Sequence, residues 1–350
     1  MNDICLASVG TAVPPFTVKQ DAAFTILEEQ VRGTVEASSL VFARKVFAHP
    51  SVKSRHFGVD TPQELFGEDP DKRIERFTKW AVRLSSEASL AALAAAGVAA
   101  ADVSAIVVNT CTGYICPGIS SYVIEQLGLD RTIPAYDLVG AGCGGALPNL
   151  ELGGSLLAGR PRTAVLCVSV EICSAAFQMG DDVSLIVSNA IFGDGASACV
   201  LTDRPGGIRL LDSAALHVPE YRDDIRFVYK HGQLHNQLTA ALPEVAGKVV
   251  GAFVAGFLKK NTLSVADVTH WALHAGGENV MNNVKAQLGL SEGQVRWARE
   301  VLAECGNMSS PSAVFALKKI LDAGVAPGEW GILVAFGAGM SAYAQLFRKE

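Results

Sequence analysis

Cys143, His274 and Asn307 are the residues of this 350-residue chain whose types and settings suit covalent chemistry. Cys143 lies in Gly140-Ala141-Gly142-Cys143-Gly144-Gly145, between an apolar run from Thr132 to Val139, which reads as a buried strand, and a helical stretch from Ala146 to Leu157. A cysteine at a strand-to-helix turn has backbone N–H groups around it and a helix N-terminus behind it. Both favour the thiolate and can support charge on a bound carbonyl oxygen. Cys143 is therefore either a nucleophile or a small residue filling a tight turn. His274, in Leu273-His274-Ala275-Gly276-Gly277, follows an apolar strand and precedes a helix; a core histidine held by one hydrogen bond is the other reading. Asn307, in Gly306-Asn307-Met308-Ser309-Ser310-Pro311, precedes a helix and would also serve as a cap there. Together the three make chemical sense. A thiol needs a proton acceptor, which histidine supplies. An Asn amide N–H and a His Nε2–H aimed at one carbonyl oxygen would stabilise the enolate left when a malonyl thioester loses CO2, and then the oxyanion of attack on a second thioester. Decarboxylation creates a carbon nucleophile without a strong base. That suits a sequence with no carboxylate pair, no metal-ligand spacing, no Walker A motif, and glycines around Cys143 that do not fit the dinucleotide spacing.

The elements that must bring these residues together read as a repeated α/β pattern. Strands are predicted near Ile4–Val9, Val103–Asn109, Ala164–Val170, Ala198–Leu201, Ile208–Leu216, Thr269–Leu273, Gly331–Phe336 and Ala342–Phe347. Helices are predicted over 22–42, 71–96, 119–127, 240–258, 277–287, 293–304 and 313–322, and a loop rich in charge and histidine over 217–235. Apolar, β-branched runs between helices imply sheets covered on both faces. Ala101-Asp102-Val103-Ser104 precedes the strand ending near Asn109, and Ala266-Asp267-Val268-Thr269 precedes the strand ending near His274. Asn109 to Cys143 is 34 residues, and His274 to Asn307 is 33. One unit used twice is the expectation, with halves at 1–205 and 206–350. Such halves packed face to face would bring Cys143, His274 and Asn307 into one cleft.

Composition narrows the classes. At 49% hydrophobic and 18% charged, the chain has ample core for two halves, and its net charge of -6 disfavours general nucleic-acid binding. Nine of the 29 basic residues fall between Arg44 and Arg83, so this region is a candidate anion site, although Glu75 and Glu87 interleave as on a solvated helix face. Eight scattered cysteines without CxxC, and a start without a signal-peptide pattern, predict a reducing, cytoplasmic setting. The alanine-rich stretch from Ala88 to Ala101 is too short to span a membrane.

Gly142-Cys143-Gly144-Gly145, Ile191-Phe192-Gly193-Asp194-Gly195-Ala196, Leu273-His274-Ala275-Gly276-Gly277, Gly306-Asn307-Met308-Ser309-Ser310 and Phe336-Gly337-Ala338-Gly339 occur in that order. In these motifs the chain resembles the type III polyketide synthases, the chalcone and stilbene synthase family of the thiolase-fold superfamily. The resemblance implies a homodimer of the five-layer αβαβα fold, with no cofactor and no metal. It implies loading of an acyl-CoA starter on Cys143, decarboxylation of malonyl-CoA by His274 and Asn307, repeated extension and cyclisation. Phe192 matches the gatekeeper between CoA tunnel and cavity, where an apolar face favours loss of the charged carboxylate; core filler at a turn is its other reading. The stretch around Lys53 and Arg55 would face the CoA phosphates. Cys111, Cys173 and Ala176 fall where plant members carry cavity threonines. Asn236 matches a second gate position, and Cys116 a residue that reaches into the partner subunit's cavity. Thr112 and Ser309 are placed on the same cavity. Ala275 and Ala338 replace prolines usual in the family. The less hydroxylated, roomier wall implied by Cys111, Cys173 and Ala176 favours an aliphatic acyl starter and an alkylpyrone or alkylresorcinol product. The alternatives are a β-ketoacyl synthase making one condensation, a hydroxymethylglutaryl-CoA synthase with Glu87 as acid, and a non-catalytic acyl-CoA-binding protein.

Overall fold

A computed structural model describes residues 4–67, 69–160, 162–230 and 232–350. The strands are β1 (Ile4–Ala12), β2 (Phe16–Lys19), β3 (Ser54–Phe57), β4 (Val103–Asn109), β5 (Ala135–Leu138), β6 (Ala164–Glu171), β7 (Gly195–Thr202), β8 (Ile208–His217), β9 (Ile225–Lys230), β10 (Gln233–Leu238), β11 (Val268–Leu273), β12 (Trp330–Gly337) and β13 (Ser341–Lys349). The helices are α1 (Gln20–Val31), α2 (Ala37–Phe47), α3 (Pro70–Ala96), α4 (Ile119–Leu127), α5 (Ala146–Ala158), α6 (Val183–Ile191), α7 (Leu242–Lys260), α8 (Glu278–Leu288), α9 (Glu292–Cys305) and α10 (Pro311–Ala323).

Nine strands form one mixed sheet in the order β11-β12-β13-β8-β1-β7-β6-β4-β5. Its pairing pattern occurs twice. β1 runs antiparallel to β7, β7 antiparallel to β6, and β6 parallel to β4; β8 runs antiparallel to β13, β13 antiparallel to β12, and β12 parallel to β11. A short antiparallel contact, Ile4 to Leu6 against Ile208 to Leu210, joins the two sets. The Ala-Asp-Val echo reappears as a 3-10 turn before β4 (Ala100–Asp102) and before β11 (Val265–Asp267). α5 touches β4 and β6 on one side and β12 and β13 on the other, while α10 touches β11 and β12 as well as β1 and β7. The two portions of the sheet therefore face each other across α5 and α10. With α3 outside one portion and α7 and α8 outside the other, the layers are five.

Burial explains the strands. Every residue of β6 and β7 is buried, as expected of apolar strands covered on both faces. α3 starts at Asp69, whose carboxylate accepts from Asp71 N, has Pro70 in its first turn, and ends at Gly97 in a left-handed conformation (φ 63°).

Three expectations are corrected. The helix predicted over 22–42 is two helices, α1 and α2, separated by a turn at Gly33 (φ 89°). The run from Thr132 to Val139 is not a buried strand: only Ala135–Leu138 is a strand, and it pairs with β4 alone at the sheet edge, leaving Tyr136 and Val139 exposed. The loop predicted over 217–235 contains an antiparallel hairpin, β9–β10, that covers the site described below.

Candidate active site

The turn carrying Cys143 is shaped by glycines and by the second half of the chain. After β5, Gly140 (φ 92°) and Gly142 (φ 55°) take left-handed conformations, and residues Gly142–Gly144 make one 3-10 turn before α5. The end of β12 presses on this turn: a Cβ added to Gly337 would lie 2.2 Å from Ala141 O and 3.1 Å from Cys143 N.

His274 leaves β11 with its backbone N–H donating to Val334 O at 2.9 Å. Its ring meets Phe336 edge to face at 5.1 Å, and it is buried. Burial pushes its pKa down to about 3, so the imidazole is neutral near pH 7. Asn307 is fixed at several atoms. Its N–H donates to Ile191 O at 2.8 Å, its C=O accepts from Gly193 N at 3.1 Å, and its Oδ1 accepts from Ser309 N at 2.8 Å. With Oδ1 so held, Nδ2 is the amide's donor, and it points to Gly276 O at 3.2 Å. A Cβ on Gly276 would lie 3.2 Å from His274 Nε2. Both side-chain nitrogens thus lie beside Gly276. Cys143, His274, Asn307 and Phe192 line one cavity of about 80 Å³.

Behind Cys143 lies a polar group that sequence reasoning missed. Glu171 ends β6 completely buried. It accepts from Ser310 Oγ (2.6 Å), Thr112 Oγ1 (2.9 Å), Thr110 Oγ1 (3.2 Å) and Cys111 N (2.9 Å). Burial raises its pKa despite these donors. Ser309 Oγ, 3.5 Å from Glu171, donates to Cys143 Sγ at 3.2 Å and lies 3.3 Å from Cys111 Sγ. A carboxylate closing the otherwise apolar run Ala164 to Val170 was the available signal. The expected thiolate is also corrected. Burial pushes the Cys143 thiol up to about 12, Ser309 opposes this, and the Glu171 charge adds to it. Cys143 rests as a thiol in the cavity that the neutral imidazole of His274 also lines.

These causes predict an alkylation profile. Ser309→Ala removes a hydrogen bond that favours the thiolate, so iodoacetamide should label Cys143 more slowly at every pH from 7 to 9.5. Glu171→Gln removes a negative charge, so labelling at a given pH should be faster, by about tenfold for each pKa unit recovered. Peptide mass spectrometry resolves Cys143 from the other cysteines.

Of the remaining expected residues, Thr112, Cys173, Ala176, Asn236 and Ser309 line the cavity with Cys143, His274 and Asn307. Asn236 donates to Ser188 Oγ at 2.8 Å. Cys111 lies behind Ser309 rather than on the cavity wall. Cys116 is exposed, outside this chain's own cavity. Glu87 is at the surface in an ion pair with Arg83 and does not line the cavity, which removes the acid a hydroxymethylglutaryl-CoA synthase needs. Lys53 is exposed on an open groove of about 490 Å³ with Lys19, Arg44 and His49.

Arg55 is corrected. It is 2% exposed and cannot face CoA phosphates; its guanidinium serves backbone carbonyls instead. Arg73 and Arg76, two more members of the basic stretch, are buried in the same way, donating to Phe177 O and to Ser174 O (2.7 Å). The cavity wall from Cys173 to Phe177 is therefore held from behind by arginines that composition alone presents as a charged face. Among the described residues, no group of His, Cys, Asp and Glu is arranged to hold a metal ion, and no helix is long and apolar enough to cross a membrane.

A strand-to-helix cysteine, a histidine and an asparagine line one cavity in a thiolase-like α/β fold. Comparison with known proteins narrows the class. Residues 13–211 match the family described as FAE1/type III polyketide synthase-like protein, and residues 210–349 match the C-terminal domain of chalcone and stilbene synthases. The chain is 30% identical over 348 residues to 3,5-dihydroxyphenylacetyl-CoA synthase of Streptomyces toyocaensis, covering 95% of this chain and 87% of that one. It is 27% identical to an alpha-pyrone synthesis polyketide synthase-like protein of Mycobacterium tuberculosis, over 87% of this chain and 81% of that one. Among solved structures it is similar to PKS-I from the brown alga Ectocarpus siliculosus (TM-score 0.90, 27% identity, covering 99% and 98% of the two chains). It is also similar to the C-terminal type III polyketide synthase domain of Steely1 from Dictyostelium (TM-score 0.92, 25% identity, 99% of each chain). The chain belongs to the type III polyketide synthase-like family. It is a condensing acyltransferase of acyl-CoA and malonyl-CoA thioesters.

Proposed function

We propose that Cys143 carries the acyl group and that His274 and Asn307 drive decarboxylative condensation upon it. The observation that carries this reading is the placement of His274 Nε2 and Asn307 Nδ2 beside Gly276 in the cavity that Cys143 also lines. In loading, neutral His274 takes the Cys143 proton at Nε2 as sulfur attacks the starter thioester, and CoA leaves as a thiolate that solvent protonates. In extension, the malonyl C–C bond breaks, CO2 departs, and the electron pair passes to the thioester oxygen between the two N–H donors. The enolate carbon then attacks the acyl group, the Cys143–acyl bond breaks, and the departing sulfur takes the proton back from His274 Nε2, which restores the resting thiol. Donors fixed before reaction are worth most for such a charge. Phe192 supplies the apolar face against which the carboxylate is lost, and Lys53 meets the CoA phosphates.

The same reading takes the chain as two halves, 1–205 and 206–350, and its working unit as a homodimer in which Cys116 reaches the partner's cavity. It takes the starter as an aliphatic acyl-CoA, extended more than once and closed to an alkylpyrone or alkylresorcinol. Support comes from Cys173 and Ala176 on a mostly apolar wall. A single condensation per starter, as a β-ketoacyl synthase makes, is a second reading. Malonyl-CoA with acyl-CoA starters from C2 to C18 and coumaroyl-CoA, followed by product mass spectrometry, separates these. Pyrones or resorcinols that lengthen with the starter are expected. One-step β-ketoacyl products establish the second reading. Products from malonyl-CoA alone, or from the aromatic starter alone, overturn the aliphatic assignment.

A further inference from the structure

Arg55 is the largest buried polar side chain that the proposed chemistry leaves without a role. Its surroundings are specific. The guanidinium is held between the rings of Phe47 and Phe57, at 5.6 and 5.0 Å from their centroids. Its Nη1 donates to Asn189 O at 2.6 Å and to Phe192 O at 2.9 Å, and its Nε donates to Gln20 Oε1 at 3.0 Å. Gln20 Nε2 in turn donates to Ala190 O at 2.6 Å.

These acceptors are the end of one helix. α6 closes at Ile191, and a helix leaves its last carbonyls without internal partners. Here Asn189 O and Phe192 O are taken by Arg55, Ala190 O by Gln20, and Ile191 O by the backbone N–H of Asn307. A cation at a helix C-terminus also meets the negative end of the dipole. Phe192 and Asn307 face each other in an isolated parallel bridge at this point. A Cβ on Gly306, which precedes Asn307, would lie 2.9 Å from Arg55 Cγ and 2.5 Å from Ile191 O. The Arg55 side chain is thus packed against both strands of the bridge.

We propose that Arg55 is a positioning residue for decarboxylation: by closing the C-terminal end of α6 it fixes the Phe192 gate and the Asn307 donor relative to each other. This rests on the roles given to Phe192 and Asn307 above. It assigns Arg55 no contact with substrate and leaves the Cys143 turn independent of it. Lysine cannot replace the arginine, because a single ammonium does not reproduce the planar fork that serves two carbonyls and a side chain at once.

The test uses the full chain and two separate reactions: acylation of Cys143 by a starter acyl-CoA, read as the mass of the intact protein, and CO2 release from malonyl-CoA. Arg55→Lys should lower kcat for CO2 release by at least about tenfold, the scale of a small misplacement at a reacting centre, with Cys143 acylation within about twofold of wild type. Gln20→Leu should act in the same direction by about threefold, and it carries the test if Arg55→Lys does not fold. A rise in KM for both CoA substrates with kcat retained would make Arg55 a CoA ligand and overturn the proposal. Equal loss of both reactions in step with a lowered Tm would leave only a structural role and overturn it too, as would no change in either. If the wild type acylates Cys143 but releases no CO2, or does neither, the functional reading itself fails, which the variants do not influence.

Discussion

Cys143→Ala should abolish acyl loading and lower product formation by at least about a thousandfold, the scale expected when a covalent nucleophile is removed, while malonyl-CoA still loses CO2. The split follows from the geometry. Asn307 Nδ2 is oriented by Ser309 N on its Oδ1 and by the bridge to Phe192, and His274 by Val334 O and the Phe336 ring. None of these contacts passes through the Cys143 sulfur. Alanine should also be tolerated at the position, because the left-handed part of the turn is carried by Gly140 and Gly142. Intact-protein mass after incubation with acyl-CoA reads loading, and labelled CO2 reads decarboxylation. Loss of both would mean that sulfur is needed to hold malonyl-CoA, and the division of labour would be wrong.

Gly337→Ala should also be damaging, from a position with no reactive group. Its Cβ would meet backbone, at 2.2 Å from Ala141 O and 2.8 Å from Gly144 N, and backbone cannot swing away as a side chain can. Either β12 leaves its pairing with β13 or the turn of Cys143 shifts by about an ångström. We expect a loss of stability of about 3 kcal/mol, at the upper end for overpacking, and a fall in acylation rate of about a hundredfold even where the protein remains folded. Thermal unfolding and the Cys143 acylation rate check the two separately. Unchanged acylation in a folded variant would show that the turn does not depend on the end of β12.

The framework of the site was legible in the chain because it depends on local patterns. Apolar runs followed by glycine turns and helices placed Cys143 and His274 just past strands and Asn307 before a helix, and the Ala-Asp-Val echo marked equivalent strands. What sequence did not show was decided by distant partners. Arg55, Arg73 and Arg76 look like a solvated face, yet their carbonyl acceptors lie at least 98 residues further along for the contacts that hold the cavity wall and α6. Thr132 to Val139 has the composition of a core strand, but its burial depends on how many neighbours the sheet supplies, and it has one. The thiol of Cys143 was misjudged for a related reason: a turn seen in isolation has helix dipole and N–H groups, whereas the folded site adds desolvation and the Glu171 charge.

The seam between the two portions of the sheet sets an order of events for a chain growing on a ribosome. β1, residues Ile4–Ala12, pairs with β7 and β8, which end at Thr202 and His217. At about 5–20 residues per second, close to 200 residues of synthesis separate the strand from its neighbours by about 10–40 s. For that interval an apolar strand with two open edges is in water, a form prone to pairing with other chains. Its completion falls after β8 emerges, so nascent chains stalled before residue 217 should remain chaperone-bound and protease-sensitive at their first strand.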